Sequence, residues 1–549
     1  MTAWALLCAR GTACASRSAA LAGFALLAWP VCEASAGVVY EEGDILLRWD
    51  NTLKYTAAVR LSGQSPYLIS RRNSDDGDRA FNPGMISNRF DLYSQLDFSK
   101  AWFGFDASAA FWYDTIYNQK NDNNSPATFN PISVPNDEFP HDVRRLHGQN
   151  AELVNAFVYV NTDVGGIPLS MRLGRHTLIW GESLFFPENG IAGGQASIDV
   201  IKELGRPTSY AKDVYMPVAQ ASLSLQVTDN VTLDAYYQFE WRKTRLPGVA
   251  SYFSIVDDLD EGGERWFDRS GQFQVRRPDQ RPPDSGQFGV AIRLSSGDVD
   301  YGLYALRFHA KDPLIYYHSG IAPGSGNPPT ILDPSIVDLP AGQVGVYNLV
   351  YPQGIEIYGF SASTYVGDWN IAGEISARRN TPLPSRPLFV PVGVVADGNK
   401  NPFYAVGNTL NAQLSTITKF ARTSVWDSAE LNFEVAASSR LSVTKNPSML
   451  DSSSEKYTLG ARMTFEPTYF AVFPNLDLTP TIGAGFNFLG NEYSGYSQDK
   501  GSGDFEIGLT ATYRVVWSAS LLFSHFLGSD RNQPLADRDF ISFSIQRTF

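Results

Sequence analysis

Apolar and polar residues alternate along this chain from one end to the other. Ile45, Leu47, Trp49, Leu53, Tyr55, Ala57, Val59 and Leu61 share one parity, and Arg48, Asp50, Thr52, Lys54, Thr56 and Arg60 the other. Phe90, Leu92, Leu96 and Phe98 alternate with Arg89, Asp91, Gln95 and Asp97. Val231, Leu233, Ala235, Tyr237, Phe239 and Trp241 alternate with Thr232, Asp234, Gln238, Glu240 and Arg242. The pattern returns at 103–113, 369–377, 457–465, 476–488 and 505–513. A period of two is the mark of a strand with two unlike faces, because a helix needs apolar residues at 3.6 spacing. Phe-rich faces on so many strands would aggregate in water. A transmembrane β-barrel accommodates them, with apolar side chains toward lipid and polar ones toward the lumen.

The connections support the same fold class: all-β, an antiparallel barrel of about 18 strands (16–18), with both termini on the periplasmic side. Ser99-Lys100, Thr228-Asp229-Asn230, the segment 295–298 and Gly367-Asp368 read as tight turns, and between them lie long polar stretches at 62–88, 114–150, 243–285, 310–345 and 379–407. Two stretches, 299–309 and 408–437, alternate poorly. At the C-terminus Ile541, Phe543, Ile545 and Phe549 fall on one face, and a last strand closing on Phe549 is similar to the sorting signal read by the barrel-assembly machinery. Arg547 interrupts that face, in a position where a long side chain can snorkel to the interface.

The N-terminus reads as an export signal, residues 1–36. Arg10 and Arg17 precede an apolar run at 19–29, and Ala34-Ser35-Ala36 offers the small-x-small pattern cleaved before Gly37. The run is too short for an anchor, which needs about 20 residues. Export would remove Cys8, Cys14 and Cys32, all the cysteines of the chain, so the domain at 37–549 is expected to fold without disulfides. The net charge of −13 disfavours nucleic acid as a partner, which calls for a basic face.

The segment 178–217 does not read as a water-exposed external loop. It holds Ile179, Trp180, Leu184, Phe185, Phe186 and Ile191 among flexible points at Gly181, Gly190, Gly193 and Gly194. It is expected to fold into the lumen as a constriction or plug. Glu182 would then need a cation, with Arg172 and Arg175 as the candidates, either as a structural latch or in contact with solute. Asp234, Gln238, Glu240 and Arg242 share a lumen face and complete the substrate or lumen candidates.

Met171-Arg172-Leu173-Gly174-Arg175 and Trp180-Gly181-Glu182-Ser183-Leu184-Phe185, with Pro217-Val218 and the run from Asp234 to Trp241, resemble the signature of the bacterial family called domain of unknown function 1302. The sequence departs from it at Gly193-Gly194-Gln195-Ala196, where relatives commonly carry Asn-Pro. The resemblance implies an outer-membrane barrel over essentially the whole chain after the leader. It also implies handling of hydrophobic or aromatic compounds, with a periplasmic or lipoprotein partner and an inner-membrane efflux-type transporter.

No catalytic residue, cofactor or metal site is expected. The six histidines (His141, His147, His176, His309, His318 and His525) come with no G-x-S-x-G elbow and no H-E-x-x-H motif. The acidic run from Asp257 to Glu264 lacks the spacing of an EF-hand and reads as a solvated loop. The expectation is therefore a channel for small hydrophobic or amphipathic molecules, set among outer-membrane lipids and lipopolysaccharide. An outer-membrane enzyme or a plugged envelope-assembly scaffold is the alternative.

Overall fold

The structure, a computed structural model, describes residues 37–206, 210–324, 328–490 and 499–549; the leader read at 1–36 lies outside the described residues. Eighteen antiparallel strands make one closed wall. The first six are β1 (Ile45–Arg60), β2 (Gly84–Lys100), β3 (Phe103–Asp114), β4 (Gln149–Val164), β5 (Ile167–His176) and β6 (Val218–Thr228). Then come β7 (Val231–Gln238), β8 (Gln287–Ser296), β9 (Val299–Phe308), β10 (Ile355–Val366), β11 (Trp369–Pro382) and β12 (Val406–Phe420). The last six are β13 (Ser428–Lys445), β14 (Tyr457–Phe473), β15 (Leu476–Leu489), β16 (Gly503–Tyr513), β17 (Trp517–Leu527) and β18 (Phe540–Thr548).

Each strand pairs with its neighbours in sequence, and β18 returns to β1 from Thr52↔Thr548 to Arg60↔Phe540. Asn51 and Phe549 add two backbone bonds of 2.9 Å at the foot of this closing seam. Closure removes the exposed edges that an open sheet would leave for aggregation. The alternation of the sequence becomes the two faces of the wall: Leu92, Val158, Leu303, Phe360 and Leu414 are exposed on the outside, while Asp234, Glu374 and Glu434 are buried within. Short turns such as Gly165-Gly166, both at positive φ, lie at the end that holds the termini. The long connections rise from the other end.

Those long connections are not the loose polar loops expected at 243–285, 310–345 and 379–407. They contribute a five-stranded sheet, from Arg265–Phe267, Phe273–Arg276, Gln343–Val350, Leu314–Ser319 and Leu388–Val390, that caps the mouth. Tyr316, Leu349, Val350 and Tyr404 supply its apolar core, which is what holds these segments in place. The acidic run is likewise not solvated. Asp257 accepts the N–H groups of Asp75 and Asp76, Asp258 accepts the Tyr317 hydroxyl, and Asp260 pairs with Lys243. Asp257, Asp258 and Asp260 are all buried where the capping loops stack on one another.

Candidate functional site

The connection from β5 to β6 enters the lumen from the capped end and descends across it. Its first half is anchored by an apolar cluster in which Trp180 and Ile191 pack on Tyr236, Tyr304, Leu306, Phe308, Ile355 and Ile357. These wall residues face inward, where a water-filled barrel would carry polar groups. That is why 299–309 alternates poorly: β9 is apolar on both faces, one toward lipid and one toward the loop. Space for the loop comes from inward-facing glycines. A Cβ at Gly359 would stand 2.6 Å from Ile191 Cδ1, and one at Gly289 would stand 3.0 Å from the Trp180 ring.

Polar clamps then fix the main chain of 182–191. Glu374 of β11 accepts the N–H groups of Glu182 and Ile191, each at 2.7 Å. Glu434 of β13 accepts three successive N–H groups, from Leu184 at 3.1 Å, Phe185 at 2.5 Å and Phe186 at 3.2 Å. The opposite pole of the segment meets a cation: Arg378 Nη2 donates to the carbonyls of Glu188, Asn189 and Gly190 at 2.5–3.0 Å. Lys311 donates to the Gly194 carbonyl at 3.1 Å. Gly181, at φ +89°, lets the chain pass so close that a Cβ would sit 2.2 Å from Glu374 Oε2. Groups of opposite sign thus meet the free donors and acceptors of an irregular loop, which when buried would otherwise stand unsatisfied.

The second half forms a short ribbon, Ser197–Ile198 with Tyr215–Met216, and a helix at Val200–Gly205. Asp199 caps that helix by accepting Lys202 N–H and is held by Arg245 at 2.8 Å. Arg206, at its end, reaches Glu466 of β14 and Glu506 of β16, both at 3.5 Å. The loop therefore touches the wall on several sides, and two cavities of about 300 and 460 Å³ flank it.

The residues singled out in the sequence divide between this plug and its hinge. Trp180 is buried with its N–H on Gln195, and Gln238 donates to the Gln195 carbonyl at 2.6 Å. Arg172, Trp180 and Asp234 come together around a cavity of about 200 Å³ with Arg293, which pairs with Asp234 at 2.9 Å. The latch expected between Glu182 and Arg172 or Arg175 is not formed. Arg175 is taken by Glu240, Arg172 lies over the Phe157 ring, and the Glu182 carboxyl faces Ser361 and Arg293. Glu240 and Arg242 do not share a strand face with Asp234, since β7 ends at Gln238. The chain turns there because Trp241 swings inward, its indole N–H on the Ala310 carbonyl and its ring against Tyr351. Glu240 instead accepts Ala219 N–H at 2.8 Å, and Arg242 sits 3.6 Å from Glu152, so both brace the hinge of the plug. Sequence reasoning missed Glu374, Arg378 and Glu434, which look like ordinary lumen charges until the fold brings the loop to them.

Among the described residues, His525 Nδ1 lies 2.7 Å from an Asp539 carboxylate oxygen, and His176 is the histidine that meets a serine hydroxyl. His176 Nε2 is 2.9 Å from Ser222 Oγ, but its Nδ1 meets the Gly174 carbonyl where a triad needs a carboxylate.

A family described as "Protein of unknown function (DUF1302)" matches residues 16–549. The chain belongs to that family. A comparison with curated proteins finds none that matches. Among solved structures it is similar to OccAB4 of Acinetobacter baumannii, at 9% identity over 93% of this chain and 99% of that one, TM-score 0.42. It is also similar to OpdK of Pseudomonas aeruginosa, solved with vanillate (8% identity, 92% and 98% coverage, TM-score 0.40). A third is the outer membrane channel DcaP of A. baumannii (9% identity, 94% and 100% coverage, TM-score 0.37). Likeness of this degree bears on no solute and no mechanism.

Proposed function

We propose that this member of the family is an outer-membrane conduit for small hydrophobic or amphipathic molecules, closed at rest by the loop at 178–217. The observation that carries the reading is the way the loop is held. Two wall carboxylates and one wall guanidinium grip its main chain, and none of these contacts is covalent or part of the wall's own ladder. Such a loop can leave while the barrel stays closed. The apolar belt on the outside of the wall supports a membrane location, with outer-membrane lipid and lipopolysaccharide around it. The aromatic lining contributed by Trp180, Tyr236 and Tyr304 supports a cargo with an apolar body. Delivery by the barrel-assembly machinery through Phe549, and work with a periplasmic or lipoprotein partner and an inner-membrane transporter, belong to the same reading.

The capped mouth favours a second reading, a permanently plugged scaffold of the envelope. Uptake by intact cells separates the two. A strain lacking the protein should take up some member of a panel of steroids, alkanes, aromatic acids and sugars more slowly than its parent. Equal uptake of every compound would leave the scaffold.

A further inference from the structure

We infer that the wall carries a second opening, a lateral port between β14 and β15, through which an amphipathic solute passes between the lumen and the hydrocarbon of the membrane. The inference rests on the conduit reading and adds where the cargo goes.

Pairing between these strands runs in register to Phe465↔Ile482 and resumes, in the same register, at Tyr469↔Leu478. Between them, Glu466, Pro467 and Thr468 have no ladder partner among Thr479, Pro480 and Thr481. The unchanged register sets Pro467 directly opposite Pro480. Facing residues of an antiparallel pair exchange either two N–H···O bonds or none. If these prolines occupied a non-exchanging position, the bonds of Glu466 with Thr481 and of Thr468 with Thr479 would survive, and those pairs would be present. Their absence places the prolines at an exchanging position, where neither has an N–H to give. Two bonds are lost, and the flanking positions lose their bridges with them. The strand from Phe465 to Tyr469 thus covers about 13 Å, at 3.3 Å per residue, without a backbone bond across the seam. Nearer its turn the same seam skips three residues again, between Tyr469↔Leu478 and Phe473↔Leu476, with a shift of register, whereas the irregularities of the other seams skip no more than two residues on a strand among the described residues. Proline is otherwise confined to edges and bulges of sheets, and lipid offers nothing to satisfy the carbonyls left over.

The two sides of this gap differ in chemistry. By alternation Phe465, Pro467, Pro480 and Ile482 lie on the outward side, but Pro467 is buried, so the gap is covered there, where Trp426, from the connection between β12 and β13, lies edge-on against Phe465 with centroids 5.6 Å apart. Glu466, Thr468, Thr479 and Thr481 face inward. Thr468 and Thr479 hydroxyls are 3.2 Å apart, and Thr481 donates to Glu466 at 3.1 Å. Arg206 of the plug holds Glu466 and Glu506, and Arg206, Thr481 and Glu506 all line the cavity of about 460 Å³. The cavity therefore reaches the inner face of the gap, and the end of the plug helix latches it. Lys54, Arg89 and Asp114 line the same cavity, so charges of both signs offset one another there while hydroxyls line the gap itself, and the fitting cargo has an uncharged, hydroxylated head and an apolar body. Its head stays among Thr468, Thr479 and Thr481 while the body enters between the prolines.

The seam can be locked at will, because the chain has no cysteine after Cys32. Thr468→Cys with Thr479→Cys places two thiols across the gap, where a disulfide forms on oxidation. The assay follows a pyrene-labelled fatty alcohol into the membranes of intact cells that carry the protein or lack it, alongside conductance of the purified protein in planar bilayers. Folding of each variant is checked by heat-dependent gel migration. The port predicts that the oxidised pair delivers the alcohol no faster than cells without the protein, that reductant restores the wild-type rate, and that conductance does not change. Pro467→Val with Pro480→Val, which returns both N–H donors, should show the same loss without a disulfide. A wild-type gain that both variants retain overturns the port alone. No difference between wild-type cells and cells lacking the protein removes the conduit and the port together.

Discussion

Glu434→Ala is the substitution that most directly loosens the plug. The Glu434 side chain is buried, and one of its oxygens accepts the N–H groups of Leu184, Phe185 and Phe186. A hydrogen bond to a charged group contributes about 1.5–3 kcal/mol. Three donors share one oxygen, so their sum overstates the loss, and about 3 kcal/mol, the upper value for one such bond, is the reasonable figure. Since about 1.4 kcal/mol is a factor of ten, the displaced loop should become roughly a hundredfold more populated. Glu434→Gln keeps an oxygen but not the charge. A neutral bond contributes about 0.5–1.5 kcal/mol, so this variant should fall between alanine and the wild type. The measurement is open probability in planar bilayers, with sensitivity of cells to a bulky antibiotic as the parallel reading. If Glu434→Ala folds as a heat-modifiable barrel and opens no more often than the wild type, the clamps do not hold the loop.

Gly359→Val should open the channel without touching any clamp, because its side chain would press on Ile191 Cδ1, already 2.6 Å from an added Cβ; bilayer recordings check this. Deletion of Phe549 removes both of its backbone bonds to Asn51 at the closing seam, so less protein should resist unfolding in unheated detergent gels. The capping loops should be tighter in mild acid. Burial raises Asp75 and Asp258 to about 6, from an ordinary 3.8, and pushes Asp76 and Asp257 well above the usual carboxylate range. Their stabilising contribution is full below about pH 4 and is lost as the pH rises through 6, at roughly 3 kcal/mol for each of Asp75 and Asp258. Protease cleavage within the capping loops should accordingly be slower at pH 5 than at pH 8, and equal rates would contradict it.

The wall was legible in the sequence because a strand with lipid on one side and lumen on the other imposes a period of two on every residue. The strand number followed from counting such stretches, and the aromatics of 178–217, Trp180 and Phe185 above all, pointed to a segment that would not lie in water; both side chains are buried. The weak alternation at 299–309 was itself a sign of the plug, since Tyr304, Leu306 and Phe308 turn an apolar face to it. What grips the loop was not legible. An inward carboxylate such as Glu374 or Glu434 is ordinary in a lumen, and only the closed barrel carries each to loop amides remote in sequence. Arg175 was the nearer cation to Glu182 along the chain, but Glu240 lies closer in space. The capping sheet escaped notice because its strands are short and broken by proline and glycine, with no long alternating run to reveal them.

Single-channel conductance of a variant lacking 181–194, beside that of the wild type, tests the central claim most directly. The deletion removes the segment held by Glu374 and Glu434 and leaves the strands of the wall intact. The account predicts an unchanged, heat-modifiable barrel with a larger and more persistent conductance. A correctly folded deletion variant with wild-type conductance would show that the loop at 178–217 does not close the lumen.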